Sequence, residues 1–313
     1  MSLKFKDLLG LERLDKKDLQ IILDSVKPFK SLFTKCGKMS DLSGKTVVTL
    51  FYEPSTRTRT SFEIAAKKLS ADVVNIAVSN SSIVKGESLI DTGKTLEAMN
   101  ADYIVIRHSL SGAPDMLARN LNVSIINAGD GFHEHPTQGL LDLYTIYERK
   151  KKIEGLKVLL VGDILHSRVA KSNIWALTKM GAEVLVAGPP TLIPSNIENL
   201  GVKVYYNLDE AVKNADVLNI LRIQFERQQE NLFPSLREYV RLYQLTKERL
   251  VAAKPEILIM HPGPMNRGIE ISSEVADGPN VAINDQIVNG IAVRMAVLYL
   301  LKSTKKRRYA SSN

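Results

Sequence analysis

One cysteine, Cys36, is all that the 313 residues provide. No disulfide can close within the chain and no cysteine cluster can hold zinc, so a reducing cytoplasm is the expected compartment. No stretch reaches the roughly 20 apolar residues that a membrane span needs. The nearest approach, residues 287–301, is interrupted by Asn289 and Arg294. The first ten residues carry Lys4, Lys6 and Asp7 where a secretory signal needs an apolar run. There is no repeat of solenoid period and no long Gly/Ser linker. Acidic residues are outnumbered, 34 against 42 basic, for a net charge of +8. Five of the positive charges, Lys302, Lys305, Lys306, Arg307 and Arg308, crowd into the last dozen residues. The folded body is therefore only mildly basic, and the tail reads as a solvated end rather than a nucleic-acid-binding arm. These absences exclude a disulfide-stapled miniprotein, a membrane protein and a low-complexity chain.

What remains is a composition of 44% hydrophobic and 24% charged residues, ordinary for a soluble enzyme, in a length that suits about two domains. Strand-like β-branched runs alternate with segments of helical spacing. The runs are 46–52, 72–78, 103–107 and 123–127 in the first half. In the second half they are 157–161, 183–187, 203–206, 216–221 and 256–260. Leu19, Ile22, Leu23 and Val26 illustrate the helical spacing between them. This alternation predicts an α/β protein of two domains, each a mostly parallel sheet with helices on both faces. The predicted boundary is the polar stretch 149–155, after an amphipathic helix that starts near His135 and bridges the domains. A last helix, 285–302, is apolar on more than one face.

Four segments follow predicted strands and carry chemistry. In Phe51-Tyr-Glu-Pro-Ser-Thr-Arg-Thr-Arg-Thr-Ser-Phe62 a strand ends and a helix begins among Ser55, Thr56, Arg57 and Thr58. Free N–H groups and hydroxyls at a helix start, with an arginine fork, suit an oxyanion such as phosphate. Plain N-capping would need one hydroxyl, not three and two arginines. In Gly129-Asp-Gly-Phe-His-Glu-His-Pro-Thr-Gln138, His135 and Gln138 stand three apart at a helix start and suit a small carbonyl or amide group. A metal held by His133 and His135 is the alternative, with no third ligand in view. Arg222 and Gln224 in Leu221-Arg-Ile-Gln224 alternate onto one side of a strand end and suit a carboxylate. In His261-Pro-Gly-Pro264 the prolines fix a loop whose carbonyls face no competing donors of their own. A nicotinamide site is disfavoured, because Gly162 lacks the later glycines of the dinucleotide fingerprint.

Ser55-Thr-Arg-Thr-Arg59, His135-Pro-Thr-Gln138, Leu221-Arg-Ile-Gln224 and His261-Pro-Gly-Pro264 resemble, in order and nearly end to end, the motifs of the transcarbamoylases. The resemblance is strongest to members whose acceptor is aspartate. It implies transfer of the carbamoyl group of carbamoyl phosphate to L-aspartate, a step of pyrimidine biosynthesis, with no metal or organic cofactor. It implies a carbamoyl-phosphate-binding domain at 1–150, ending in the bridging helix 135–150. An aspartate-binding domain follows at 151–284, and a helix packing back across both domains, with the basic tail, at 285–313. By resemblance, Ser55, Thr56, Arg57, Thr58, Arg107, His135, Gln138, Gly263 and Pro264 bind carbamoyl phosphate, and Thr58, Arg107 and His135 are catalytic. Lys85, Arg168, Arg222 and Gln224 bind aspartate. The resemblance also implies a homotrimer in which Lys85, with Ser82 beside it, enters a neighbour's site. A regulatory chain or a dihydroorotase is a candidate partner. Gly263 stands where some members carry leucine, which a contact made by the backbone tolerates.

Three other readings compete. An ornithine-using transcarbamoylase would carry a cysteine in the 261–264 loop, and Arg222 would repel the ornithine ammonium group. A non-catalytic relative would lack a motif residue. A nucleic-acid binder would carry a recognisable module.

Overall fold

The computed structural model describes residues 3–77, 87–223 and 235–302. The chain divides into two compact units, Met1–Leu140 with Val288–Asn313, and Leu141–Ile287.

In the first unit, helix α1 (Lys16–Thr34) opens with a capping box: Asp15 accepts from the Asp18 amide at 2.7 Å, and Asp18 reaches back to the Asp15 amide. Leu19, Ile22, Leu23 and Val26, the stripe expected from spacing, are all buried. Strand and helix then alternate: β1 (Thr46–Phe51), α2 (Thr56–Lys68), β2 (Asp72–Ala77), α3 (Leu89–Ala98), β3 (Tyr103–His108), α4 (Ala113–Asn120), β4 (Ser124–Asp130) and the start of α5 (Pro136–Lys150). The four strands form a wholly parallel sheet in the order β2-β1-β3-β4. Val48, Leu50, Ile104, Ile106 and Ile125 form one of its buried faces, packed with Leu117 of α4. The central strands β1 and β3 read as near-continuous apolar runs because helices shield a parallel sheet from water, whereas the edge strand β2 leaves Val74 exposed. Strand β4 runs on to Asp130 and is buried throughout, including the polar Asn127 and Asp130. Leu8 lies beside β4 as an isolated parallel bridge to Ile126.

The second unit contains β5 (Lys157–Val161), α6 (Arg168–Lys179), β6 (Glu183–Ala187), β7 (Val202–Tyr205), α7 (Leu208–Asn214), β8 (Val217–Ile220), α8 (Leu236–Tyr243), α9 (Lys247–Leu250), β9 (Leu258–Met260) and α10 (Ser273–Ala276). Its five strands are also all parallel, ordered β7-β6-β5-β8-β9. Leu159, Leu185, Leu218, Ile220, Tyr239 and Ile259 are among its core side chains. Helix α11 (Ile283–Lys302) begins two residues earlier than its spacing predicts. Among the described residues no helix is long and apolar enough to cross a membrane.

All nine predicted strands exist, and the α/β class with two parallel sheets is as expected. Strand order is the new information. In the first sheet the chain leaves β1 for β2 on one side and returns to β3 on the other. In the second it leaves β5 for β6 and β7, then returns to β8. Each sheet therefore has a switch point, β1/β3 and β5/β8, where a crevice opens at the carboxyl ends of the strands.

Candidate active site

In the first unit the hydroxyl-rich segment lies at the switch point. Strand β1 ends at Phe51, Ser55 occupies the N-cap of α2, and Thr56 begins the helix. The Ser55 side chain makes no capping hydrogen bond, so the helix start is not sealed by the usual device. Thr58 is buried, while Thr56 and Arg57 are exposed. A helix start of this kind presents amide donors and a positive dipole end to an anion.

Arg107 is the register partner of Phe51 across β1/β3. Its Nε lies 3.4 Å from Glu53 Oε2, and its guanidinium also donates to the Ala128 carbonyl at 3.4 Å. Next to it His108 packs on Tyr52, with ring centroids 4.6 Å apart. The Leu110 amide donates to His108 Nδ1 at 2.9 Å, which needs that nitrogen unprotonated. Burial, the largest influence on this ring, agrees by pulling its pKa down.

His135 and Gln138 arrive by way of the tight turn after β4. His135 is 4% exposed, and its carbonyl accepts from the Gln138 and Gly139 amides at 2.9 and 3.1 Å, opening α5. Gln138 is buried beside it. Ser55 to Thr58 and His135 with Gln138 thus follow β1 and β4, and Arg107 lies at the end of β3 between them, at one edge of the sheet.

The metal alternative takes a different shape. Glu12, His133 and Glu134, rather than His133 and His135, bring ligand atoms within 4.8 Å of one another. Glu134 already accepts from the Leu11 and Glu12 amides at 2.8 and 3.0 Å. His133 Nδ1 lies 3.1 Å from Asp130 Oδ2 and its Nε2 lies 3.4 Å from Glu12. The Asp130 hydrogen bond, against burial, pushes the His133 pKa up to about 9. An imidazolium between two carboxylates accounts for the cluster, whereas a metal would need the neutral ring.

Because the folded pKa of His133 lies above its ordinary value of 6.5, the stabilisation is fully present below about pH 6.5 and is lost as pH rises through about 9. Stability should fall across that window in thermal melts, and His133→Gln should flatten the slope. An equal slope in both proteins would contradict the assignment.

In the second unit Arg168 is the first residue of α6, after the loop from β5, and is buried. Ser167 caps that helix, accepting from the Ala170 amide at 3.1 Å. Arg222 follows β8 by two residues and is half-buried. The Leu221 amide ties this exit to the Val161 carbonyl of β5 at 2.8 Å. Gly263 and Pro264 follow β9, and Gly263 has φ +63°, the left-handed region that favours glycine over the leucine of some resembling chains. Arg168, Arg222 and the Gly263–Pro264 loop therefore follow three adjacent strands, β5, β8 and β9. Ser82, Lys85 and Gln224 lie outside the described residues.

A set of buried polar residues supports these positions, and apart from His261 the sequence motifs did not mark them. The His261 ring accepts from the Gly263 amide at Nδ1 (2.8 Å) and donates from Nε2 to Glu270 at 3.1 Å. Glu270 also accepts from the Asn266 amide. The His261 amide donates to Gln286, which donates to Asp142 at 2.8 Å. Asp142 accepts further from Asn173 and Asn219, at 2.8 and 3.2 Å. A carboxylate without such donors would be costly to bury. The available signal was Asp142 itself, an acid inside the apolar run Leu140-Leu-Asp-Leu143 of a helix.

Two family models cover the chain. Residues 6–148 match the carbamoyl-P binding domain of aspartate/ornithine carbamoyltransferase, and residues 154–301 match its Asp/Orn binding domain. The aspartate carbamoyltransferase catalytic subunit of Endomicrobium trichonymphae is 80% identical over 314 residues, covering 100% of both chains. Aspartate transcarbamoylase from Trypanosoma cruzi, solved with carbamoyl phosphate and aspartate, superposes with a TM-score of 0.86. It is 30% identical and the match covers 95% of this chain and 97% of that one. Ornithine carbamoyltransferase from Pyrococcus furiosus also gives 0.86, at 33% identity over 96% of this chain and 98% of that one. Backbone shape is thus equally close to enzymes of both acceptor classes.

Proposed function

The chain belongs to the aspartate/ornithine carbamoyltransferase family, and from that premise we infer that aspartate is its acceptor. It transfers the carbamoyl group of carbamoyl phosphate to the amine of L-aspartate, giving N-carbamoyl-L-aspartate and phosphate for pyrimidine biosynthesis. The observation that supports this acceptor best is the pair Arg168 and Arg222, each following one of the two strands at the β5/β8 switch point. Two guanidinium groups there suit a dicarboxylate and would repel the side-chain ammonium of ornithine.

The deprotonated amine of aspartate attacks the carbamoyl carbon, and negative charge develops on the carbonyl oxygen. Thr58, Arg107 and His135 are assigned as donors to that oxygen. The C–O bond to phosphate breaks, and the phosphate is held by the α2 amides with Ser55, Thr56 and Arg57. Gln138 and the backbone of Gly263 and Pro264 take the carbamoyl NH₂. Arg168, Arg222 and Gln224 hold the acceptor carboxylates. The phosphate group, dianionic while still bonded, takes the amine proton as it departs and leaves as hydrogen phosphate. Holding both substrates in register supplies much of the rate. The working unit in this reading is a cytoplasmic homotrimer in which Lys85 serves a neighbouring chain.

An assay with each acceptor tests the reading. L-Aspartate should be carbamoylated and L-ornithine ignored; faster turnover of ornithine would overturn it. Arg222→Ala should lower kcat/KM for aspartate by about 2–4 kcal/mol, the scale of a lost charge-assisted contact, while carbamoyl-phosphate binding changes little.

A further inference from the structure

Nothing in the reaction as described uses the N-terminal segment, yet it is bonded to the turn that delivers His135. Asp7 accepts from the Ile125 amide at 2.8 Å. The Leu8 amide donates to the Ile125 carbonyl at 2.9 Å, and the Asn127 amide donates to the Leu8 carbonyl at 2.8 Å. Asn127 also donates from its side chain to the Leu9 carbonyl at 2.8 Å. The segment is thus tied to β4 through the single parallel bridge at Leu8 and the bonds on either side of it.

Past Leu9 the segment closes on Glu134, the residue immediately before His135. The Glu134 side chain is fully buried, and its two oxygens accept from the amides of Leu11 (2.8 Å) and Glu12 (3.0 Å). The approach is so close that a Cβ on Gly10 would lie 2.5 Å from Glu134 Oε1. The backbone of Glu134 is held from the other side. Its carbonyl accepts from the Asp130 amide at 3.1 Å, and its amide donates to Asp130 Oδ1 at 3.2 Å. Asp130 is itself fixed by the Gly112 amide and the Asn127 side chain, both at 2.7 Å. One residue later the His135 carbonyl is committed to α5. A buried carboxylate bonded to two backbone amides resists sliding, because any shift leaves charge and donors unpaired in a dry environment.

We propose that Glu134 is a positioning residue for His135, acting through the N-terminal segment Leu8–Glu12 as a strap that fixes where the imidazole stands. The proposal rests on the reading that His135 donates to the carbamoyl oxygen. A ring held by a strap rather than by its own loop alone meets the transition state without reorganising, and displacement by about 1 Å can cost on the order of 10²-fold in rate.

Three variants of the full-length enzyme test this. Glu134→Gln keeps the shape but turns an NH₂ toward one of the two amides. Gly10→Ala presses on the same carboxylate from the strap and leaves Glu134 intact, so it carries the test if Glu134→Gln folds poorly. Gly10→Ala with Glu134→Asp shortens the acid by one methylene and makes room for the added methyl. Each of the first two should lower kcat by about 10- to 100-fold, with KM for both substrates within about threefold. The double variant should recover most of the loss, a non-additive result expected of touching groups. In the ligand-free proteins, the His135 ring signal in histidine-labelled NMR spectra, assigned with His135→Asn, should move in the first two variants. It should return toward its wild-type position in the double variant. An unchanged kcat with an unmoved ring signal would overturn the proposal, as would losses that simply add. Failure of the wild type to use aspartate would instead overturn the functional reading, while the ring signal would still decide the role of Glu134.

Discussion

Replacing His135 by alanine should lower kcat by roughly 10²–10³, the cost of one lost donor to a developing oxyanion, and asparagine should restore a measurable part of it. The two substitutions separate two roles. Asparagine can donate a hydrogen bond to a carbonyl oxygen but cannot take the proton of an attacking amine. If His135 were the general base, asparagine would be as poor as alanine. The comparison is clean because of where the residue sits. His135 immediately precedes Pro136, the first residue of α5, and its carbonyl accepts the first helical bonds. Asparagine is among the best residues at a helix start, so that variant should fold without penalty. Steady-state rates with saturating aspartate, together with melting curves, provide the check. An asparagine variant no better than alanine would count against the donor role.

The second large effect is a recovery of activity rather than a loss. In the proposed trimer each site takes His135 from its own chain and Lys85 from the next. Lys85→Ala and His135→Ala proteins should each be nearly inactive. Dissociated mildly and mixed, they should form hybrid trimers. Around a cyclic, head-to-tail ring either hybrid composition contains one chain with intact His135 beside a chain with intact Lys85. Hybrids should therefore recover about a third of the wild-type rate, one competent site in three. Native mass spectrometry establishes that mixed trimers are present. Hybrids without activity would place Lys85 in its own chain's site or out of the reaction.

Much of this was legible in the amino-acid sequence, for a physical reason. Strands of a helix-covered parallel sheet are buried on both faces, so β3 and β5 appear as plain runs of Val, Ile and Leu, and their positions came within a few residues. The end of β4 was less legible, since the strand was expected to stop at Asn127, and Gly129 and Asp130 look like loop residues until the buried partners of Asp130 are known. The segments after β1, β4, β8 and β9 stood out because they combine a strand end with hydroxyl, imidazole, guanidinium or proline groups at fixed spacing. Strand order was not legible: a run of valines does not say which neighbour it pairs with, and so the β1/β3 and β5/β8 switch points emerge only in three dimensions. Nor were Glu134, Glu270 and Asp142. Each is a single acid with no periodicity, and its burial is set by amide donors contributed from distant positions, such as Leu11 for Glu134 and Asn219 for Asp142.

The division of the chain into units has a consequence for biosynthesis. The second unit, Leu141–Ile287, is continuous, whereas the first is completed by residues from Val288 onward. At roughly 5–20 residues per second, translation of the intervening stretch keeps the first unit waiting for several seconds to about half a minute. Its four-stranded sheet, residues 46–130, is therefore made early, while the helix that completes the unit is made last. During that interval the apolar side chains that the last helix meets, Phe29 and Phe62 among them, are the part of the nascent chain most in need of a chaperone.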